Sequence, residues 1–127
     1  MTAEKEKSRV AVEKNYPQFM GHLQQLIGKL GQEIPDTMSE FNKLHKAAVK
    51  NGALSTQMKE LIILAIAISA RCEGCITFHV HDALKAGATR QEITETIGVA
   101  LLMGGGPSLA FGCMALEALE QFEQKGC

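Results

Sequence analysis

The chain has 127 residues, which is enough for one domain with a modest core. Hydrophobic residues make up 46% of it but aromatic residues only 5%, so the apolar content is mainly aliphatic and suits close helix packing. The net charge is −1, with both signs interspersed. This balance argues against a nucleic-acid partner or an anionic membrane surface, because phosphate binding needs concentrated Lys and Arg.

Neither a targeting segment nor a membrane span is expected from the sequence. The N-terminal segment MTAEKEKSRV is charged where a signal peptide needs an apolar run. The longest uncharged apolar stretch, residues 61–70, is far shorter than the ~20 residues that span a bilayer. We therefore expect a cytoplasmic protein, in which closely spaced cysteines indicate metal binding or redox chemistry before structural stapling.

Hydrophobic spacing and helix-breaking residues predict an all-α bundle of about six helices, forming a single domain over residues 1–127. Residues 1–16 are polar and charged and are expected to form a first helix or a peripheral arm. Ser55 and the capping box TRQE at residues 89–92 mark two helix starts, and Gly87 marks a helix end. The other predicted helices cover residues 17–31, 35–50, 56–71, 72–86, 90–104 and 107–125.

The helix predicted over residues 56–71 is apolar on every side between Leu61 and Ile68. A helix of that kind has to be covered on all its faces. A small bundle does not easily provide such cover from one chain. We therefore expect the chain to assemble into a homo-oligomer.

The residues that carry chemistry lie between Glu60 and His79. Cys72 and Cys75 are three residues apart, and Cys75 and His79 are four apart, so all three share one face of a helix. At ~1.5 Å per residue, Glu60 lies about 12 Å from the end of its helix and His79 about 9 Å from the start of the next. If the two helices are antiparallel neighbours, these side chains face each other, so a carboxylate–imidazole–thiol line is expected.

We expect Cys75 to be the attacking thiolate, His79 its base and Glu60 the group that orients the base, an order typical of activated nucleophiles. Cys72 is then the resolving thiol. The opposite order of the two cysteines stays open, because Cys72 is nearer to the helix N-terminus and to Arg71, which both favour a thiolate. A regular helix separates the two Cβ atoms by ~5–6 Å, so a disulfide requires a tightened first turn or Cys72 at the cap.

The same residues allow other interpretations. A zinc site formed by Cys72, Cys75 and His79 lacks an evident fourth ligand, but a zinc-holding structural module stays an alternative. Glu60, taken alone, is equally compatible with a solvated carboxylate in the first turn of its helix.

The remaining histidines and cysteines are expected to have no direct role. His81 is expected at the surface or near the site, and His22 and His45 are expected to be exposed. Cys113 is expected to pack within its helix. Residues 104–106, three glycines, are expected to form a tight helix connection or a close subunit contact.

The combined motifs resemble the carboxymuconolactone decarboxylase-like superfamily, in its alkyl hydroperoxidase D-like branch. The likeness covers roughly residues 38–122 and is strongest over residues 59–107. It is carried by Lys59-Glu60-Leu61, by Cys72-x-x-Cys75-x-x-x-His79, by Ala86-Gly87-Ala88-Thr89 with Glu92-Ile93, and by Met103-Gly104-Gly105-Gly106-Pro107.

That resemblance implies an all-α fold that assembles as trimers, or as hexamers built from trimers, and a peroxidase or disulfide reductase activity. Cys75 would be the thiol oxidised to sulfenic acid, Cys72 the partner that closes the disulfide, and Glu60 with His79 the proton relay. The substrate would be a hydroperoxide or a disulfide and the electron donor an external dithiol, with no bound cofactor.

One position departs from the pattern. The hydroperoxidase itself typically has a histidine just before the second cysteine, where this chain has Gly74. The decarboxylase branch that names the superfamily generally lacks the cysteine pair. A lactone decarboxylase that uses His79 and Glu60 as acid and base is therefore kept as an alternative function.

Overall fold

The computed structural model describes residues 14–126, in which there are helices and no strand, so the all-α prediction is confirmed. The helices are α1 (Tyr16–Glu33), α2 (Pro35–Val49), α3 (Thr56–Ser69), α4 (Glu73–Lys85), α5 (Arg90–Gly104) and α6 (Gly106–Gln124). Within this part of the chain, none of them combines the length and the apolar character needed to cross a membrane.

The start of α1 lies in the core. Tyr16 is only 1% exposed, and its N–H donates to Oε1 of Gln121 on α6 at 2.7 Å. Burial is the main cause that raises the pKa of Tyr16 to about 12. Tyr16 therefore belongs to the bundle. A first helix or a peripheral arm was predicted over residues 1–16, and residues 1–13 of that segment lie outside the described residues.

The boundary between α1 and α2 is set by proline. The prediction ended the helix at Gly31, but α1 continues to Glu33, because a glycine inside a helix costs only about 1 kcal/mol. The break comes at Ile34, whose φ of −131° and ψ of 63° are not helical. Ile34 precedes Pro35, and a proline disfavours helical geometry in the residue before it.

The central element of the fold is α3, which packs against α2, α4, α5 and α6. Its buried residues are Glu60, Leu61, Leu64, Ala67 and Ile68, so one carboxylate lies among apolar side chains. By contrast, α2 buries none of its residues and packs mainly against α1. The α1–α2 pair therefore forms an outer layer, and α3 to α6 hold the core.

The connection between α5 and α6 is a single residue, Gly105, with a φ of 67° in the left-handed region that favours glycine. Close packing follows at once: a Cβ on Gly104 would lie 2.7 Å from Cβ and 1.7 Å from Oγ of Ser108. Ser108 is itself buried. The tight helix connection predicted at residues 104–106 is confirmed.

Large apolar side chains on α3 and α5 lie open to solvent in the single chain. Ile62 and Ile66 of α3 are 42% and 62% exposed, and Leu102 and Met103 of α5 are 82% and 79% exposed. Part of the apolar surface of α3 is therefore not covered by the described residues of the single chain. This agrees with the prediction that one chain does not easily cover this helix on all faces.

Replacing Gly104 by Ala is expected to lower the free energy of unfolding by about 1–3 kcal/mol, the usual cost of overpacking. The added Cβ collides with Cβ of Ser108, which moves only with the backbone of α6. The matched control on the same helix is Gly98→Ala, because nothing lies within 4 Å of a Cβ at that position.

Urea unfolding should show Gly98→Ala to be neutral or stabilising by up to ~1 kcal/mol, since Ala is the better helix former. Equal stability of the two variants would contradict the close approach of α5 and α6.

Candidate active site

The turn between α3 and α4 positions the first cysteine. Two backbone hydrogen bonds end α3: the Ala70 N–H donates to the Ile66 carbonyl at 2.8 Å, and the Cys72 N–H donates to the Ala67 carbonyl at 3.0 Å. Arg71, between them, has a φ of 58°, the one positive φ of a non-glycine among the described residues. A left-handed residue is a common helix terminator, and here it brings Cys72 to the start of α4.

Cys72 is the N-cap of α4, and Cys75 lies in the first turn. The Cys75 N–H donates to the Cys72 sulfur at 3.2 Å, and the two sulfur atoms are joined in a disulfide with their Cα atoms 5.2 Å apart. Of the two geometries expected for a disulfide here, the protein has the one with Cys72 at the cap. Cys75 is exposed and Cys72 is half-buried, so Cys75 is the more exposed residue of the pair.

Glu60 and His79 meet across the interface of α3 and α4. His79 Nδ1 lies 2.7 Å from Glu60 Oε2, and the two side chains are 15% and 4% exposed. With the carboxylate as acceptor, Nδ1–H is the donor, which leaves the Nε2 lone pair free to take a proton. The predicted contact is present, and the alternative of a solvated Glu60 is wrong.

An open cavity of about 630 Å³ adjoins the disulfide and His79. The outer helices α1 and α2 supply its mainly apolar wall, and α4 supplies the chemical groups. The wall residues are Ile27, Leu30, Thr37, Met38, Phe41, Asn42 and His45, and the residues from the α4 side are Cys72, Gly74, Cys75, Phe78, His79 and Asp82. Chemistry at the sulfurs would therefore take place beside an apolar surface.

Gly74 allows α1 to lie against the first turn of α4. A Cβ at this position would lie 3.2 Å from Leu23 Cδ1, which is closer than side chains normally pack. A histidine here, as in the hydroperoxidase pattern, would require Leu23 to move. The glycine at position 74, where the hydroperoxidase has histidine, therefore allows α1 to pack closely beside the cysteines.

Two residues to which the sequence analysis assigned no role lie beside His79. Asp82 Oδ2 is 3.9 Å from His79 Nδ1, while Asp82 Oδ1 lies 3.0 Å from Nδ1 of His81. The ring of His45, on α2, has its centroid 6.1 Å from that of His79. The three-residue spacing from His79 to Asp82 was a usable signal. The exposure of His45 was predicted correctly. Its position in the cavity was missed, because no local sequence pattern connects His45 to α4.

Among residues 14–126, the group that could hold a metal ion together is His45, Glu60 and Asp82, with one ligand atom each. This set differs from the one weighed on the sequence, which joined His79 to the two cysteines. Those cysteines are bonded to each other here.

Cys113 is exposed, so the expectation that it packs within its helix is wrong. The buried stripe of α6 runs through its neighbours Gly112 and Ala115, and position 113 lies beside that stripe. His22 is exposed, as expected.

Comparison with known proteins identifies a family. The sequence pattern of the carboxymuconolactone decarboxylase family matches residues 35–118. An uncharacterized protein of Cupriavidus necator is 40% identical over 89 residues, which are 70% of this chain and 79% of that protein.

Two solved structures are similar in fold and sequence. A carboxymuconolactone decarboxylase family protein from Legionella pneumophila is 42% identical with a TM-score of 0.83, over 87% of this chain and 98% of that one. A second family protein, from Thermotoga maritima, is 29% identical with a TM-score of 0.67, over 71% of this chain and 93% of that one. The Thermotoga protein is described with a suggested part in an antioxidative response.

Reduction of the disulfide is expected to lower the free energy of unfolding by about 2 kcal/mol, because the broken link frees a short loop in the unfolded chain. Thermal unfolding with and without dithiothreitol measures the difference. Cys113→Ser should keep the full reductant effect, and the double variant Cys72→Ser/Cys75→Ser should lose it. A reductant effect of equal size in the double variant would contradict the assignment.

Proposed function

Because this chain belongs to the carboxymuconolactone decarboxylase family, we propose that it is a thiol-dependent peroxidase or disulfide oxidoreductase. The observation that carries the proposal is the disulfide Cys72–Cys75 at the start of α4, one helical turn from the buried Glu60–His79 hydrogen bond. The antioxidative role suggested for the Thermotoga protein supports the same chemistry.

The first step is activation of the reduced Cys75. His79 lies four residues further along α4, on the same face, with its Nε2 lone pair free. His79 takes the thiol proton, and Glu60 stabilises the imidazolium through Nδ1–H. The start of α4 favours the thiolate, because the positive end of the helix dipole lies there.

The oxidising step follows at Cys75. The thiolate attacks one oxygen of a hydroperoxide, the O–O bond breaks, and a new S–O bond gives the sulfenic acid. The leaving alkoxide takes the proton held by His79 and departs as an alcohol. The apolar wall of the cavity supports a substrate whose organic group packs beside Phe41 and Phe78.

Resolution and recycling need Cys72. Its thiol attacks the Cys75 sulfenic sulfur, which forms the disulfide and releases water. An external dithiol then reduces the disulfide by two exchange steps and is itself oxidised. When the substrate is a disulfide, the Cys75 thiolate attacks one of its sulfur atoms, forms a mixed disulfide and releases the first substrate thiol. Cys72 then attacks the Cys75 sulfur, which forms the Cys72–Cys75 disulfide and releases the second substrate thiol. The greater exposure of Cys75 favours it over Cys72 as the attacking atom.

A thiol titration tests the proposal. In a background with Cys113 and Cys127 changed to Ser, the reduced chain should lose both thiols after one equivalent of organic hydroperoxide and show a Cys72–Cys75 crosslink by mass spectrometry. His79→Asn should slow this loss by about 100-fold or more, the usual contribution of a general base. Glu60→Gln should slow it by at least about 10-fold, because the imidazolium loses its partner.

The matched control is Glu95→Gln, an exposed carboxylate on α5 that should react at the parent rate. Thiols that stay unchanged at neutral pH would overturn the proposal. The family's name suggests lactone decarboxylation as an alternative function. The double variant Cys72→Ser/Cys75→Ser distinguishes the two functions, because a decarboxylase would keep its activity and a thiol-dependent redox enzyme would lose it.

We further propose that the protein works as a homo-oligomer, a trimer or a hexamer. Leu102 and Met103, with Val99 and Leu109, give α5 and the start of α6 an exposed apolar surface. Monomeric proteins seldom leave such surfaces uncovered. A second copy of this chain would cover it.

Leu102→Glu is expected to lower the oligomer mass measured by light scattering, because burying a carboxylate in an apolar contact is costly. The folded chain should tolerate the change, since Leu102 is 82% exposed. Gln91→Glu, on the exposed first turn of the same helix, adds the same charge away from this surface and should leave the mass unchanged. A mass of one chain for the parent protein would refute the assembly.

A further inference from the structure

A cluster of three possible metal ligands shares Glu60 with the relay, and its other two members, His45 and Asp82, have no part in the thiol cycle. His45, Glu60 and Asp82 come from α2, α3 and α4, and one ligand atom from each lies within 4.8 Å of the other two. From this cluster we propose that the protein binds a divalent cation of the zinc type at His45, Glu60 and Asp82, and that the bound cation holds the thiol site inactive.

Burial of Glu60 is the first argument. Its side chain is 4% exposed, and its hydrogen bond to His79 uses only Oε2. Buried charges in proteins are paired or coordinate metals. The second oxygen, Oε1, is an acceptor that a cation bound by His45 and Asp82 can use.

The ligand set is the second argument. Imidazole and carboxylate groups are both zinc ligands, and open zinc sites have three protein ligands, with the fourth position left for water or substrate. Here His45 and Asp82 both line the cavity, so the fourth position opens into it. The contact of His81 Nδ1 with Asp82 Oδ1 orients that carboxylate, as partners of metal ligands commonly do.

The spacing of the ligand atoms is the third consideration. Tetrahedral zinc, with bonds of ~2.0–2.2 Å, requires ligand atoms somewhat closer to one another than 4.8 Å. His45 is exposed, and α2 buries none of its residues, so His45 can close on the two acids without disturbing the core.

The inhibitory effect follows from the shared carboxylate and rests on the proposed function. Glu60 positions His79 through the hydrogen bond of 2.7 Å to Nδ1. A cation on Glu60 competes with His79 for that carboxylate, and it occupies the cavity beside the two sulfur atoms. The reduced chain with cation bound should therefore react slowly with hydroperoxide.

Direct binding is the test. The chain with Cys113 and Cys127 changed to Ser, and with Cys72 and Cys75 kept as the disulfide, excludes thiolate ligands. Dialysis against micromolar zinc followed by elemental analysis should give one zinc per chain and a higher Tm. His45→Ala and Asp82→Asn should each weaken binding by about 10-fold or more. His22→Ala, an exposed histidine on α1, is the matched control and should bind like the parent.

The outcomes separate this proposal from the thiol chemistry. Absence of zinc binding, or equal binding by His45→Ala and the parent, overturns the cation site, even if hydroperoxide still oxidises the thiols. Binding that depends on His45 supports the site, even if hydroperoxide does not react. For the inhibitory effect, zinc should slow hydroperoxide oxidation of the reduced parent at least 10-fold more than that of His45→Ala, and an equal effect on both overturns it.

Discussion

The buried hydrogen bond between Glu60 and His79 is the interaction on which the rest of the site depends. A carboxylate with 3% of its residue surface exposed has lost its water and is tolerated when a partner stabilises its charge. His79 is that partner, and the hydrogen bond fixes the alignment of α3 relative to α4. The same position sets Cys75, one turn before His79, at the edge of the cavity.

The cavity lies between two layers of helices that differ in burial. The chemical groups lie on α4 and are supported by the buried face of α3, whereas the apolar wall lies on α1 and on α2, which buries no residue. In the proposed enzyme, substitutions in that wall would change substrate preference and leave the Glu60–His79 contact in place. His45 is the histidine of the wall, and it approaches the carboxylate that His79 uses. A ligand shared by His45 and Glu60 would therefore act directly on the proposed thiol chemistry.

The sequence by itself determined the features that depend on residues close together in the chain. Ser55 and the capping box at residues 89–92 predicted two helix starts that the structure has. A helix repeats every ~3.6 residues, so spacing alone placed Cys72, Cys75 and His79 on one face. Even the error at Gly31 was local, because a proline four residues later is the stronger helix breaker.

Only the tertiary structure decided what lies opposite that face. Glu60 was equally compatible with water or with His79 until α3 was seen at the centre of the bundle. His45 reaches the cavity, and Cys113 stays exposed, through the packing of helices that are distant in sequence. A periodic pattern identifies the buried side of one helix, but the partner of each buried group depends on how several helices pack together, which local spacing does not encode.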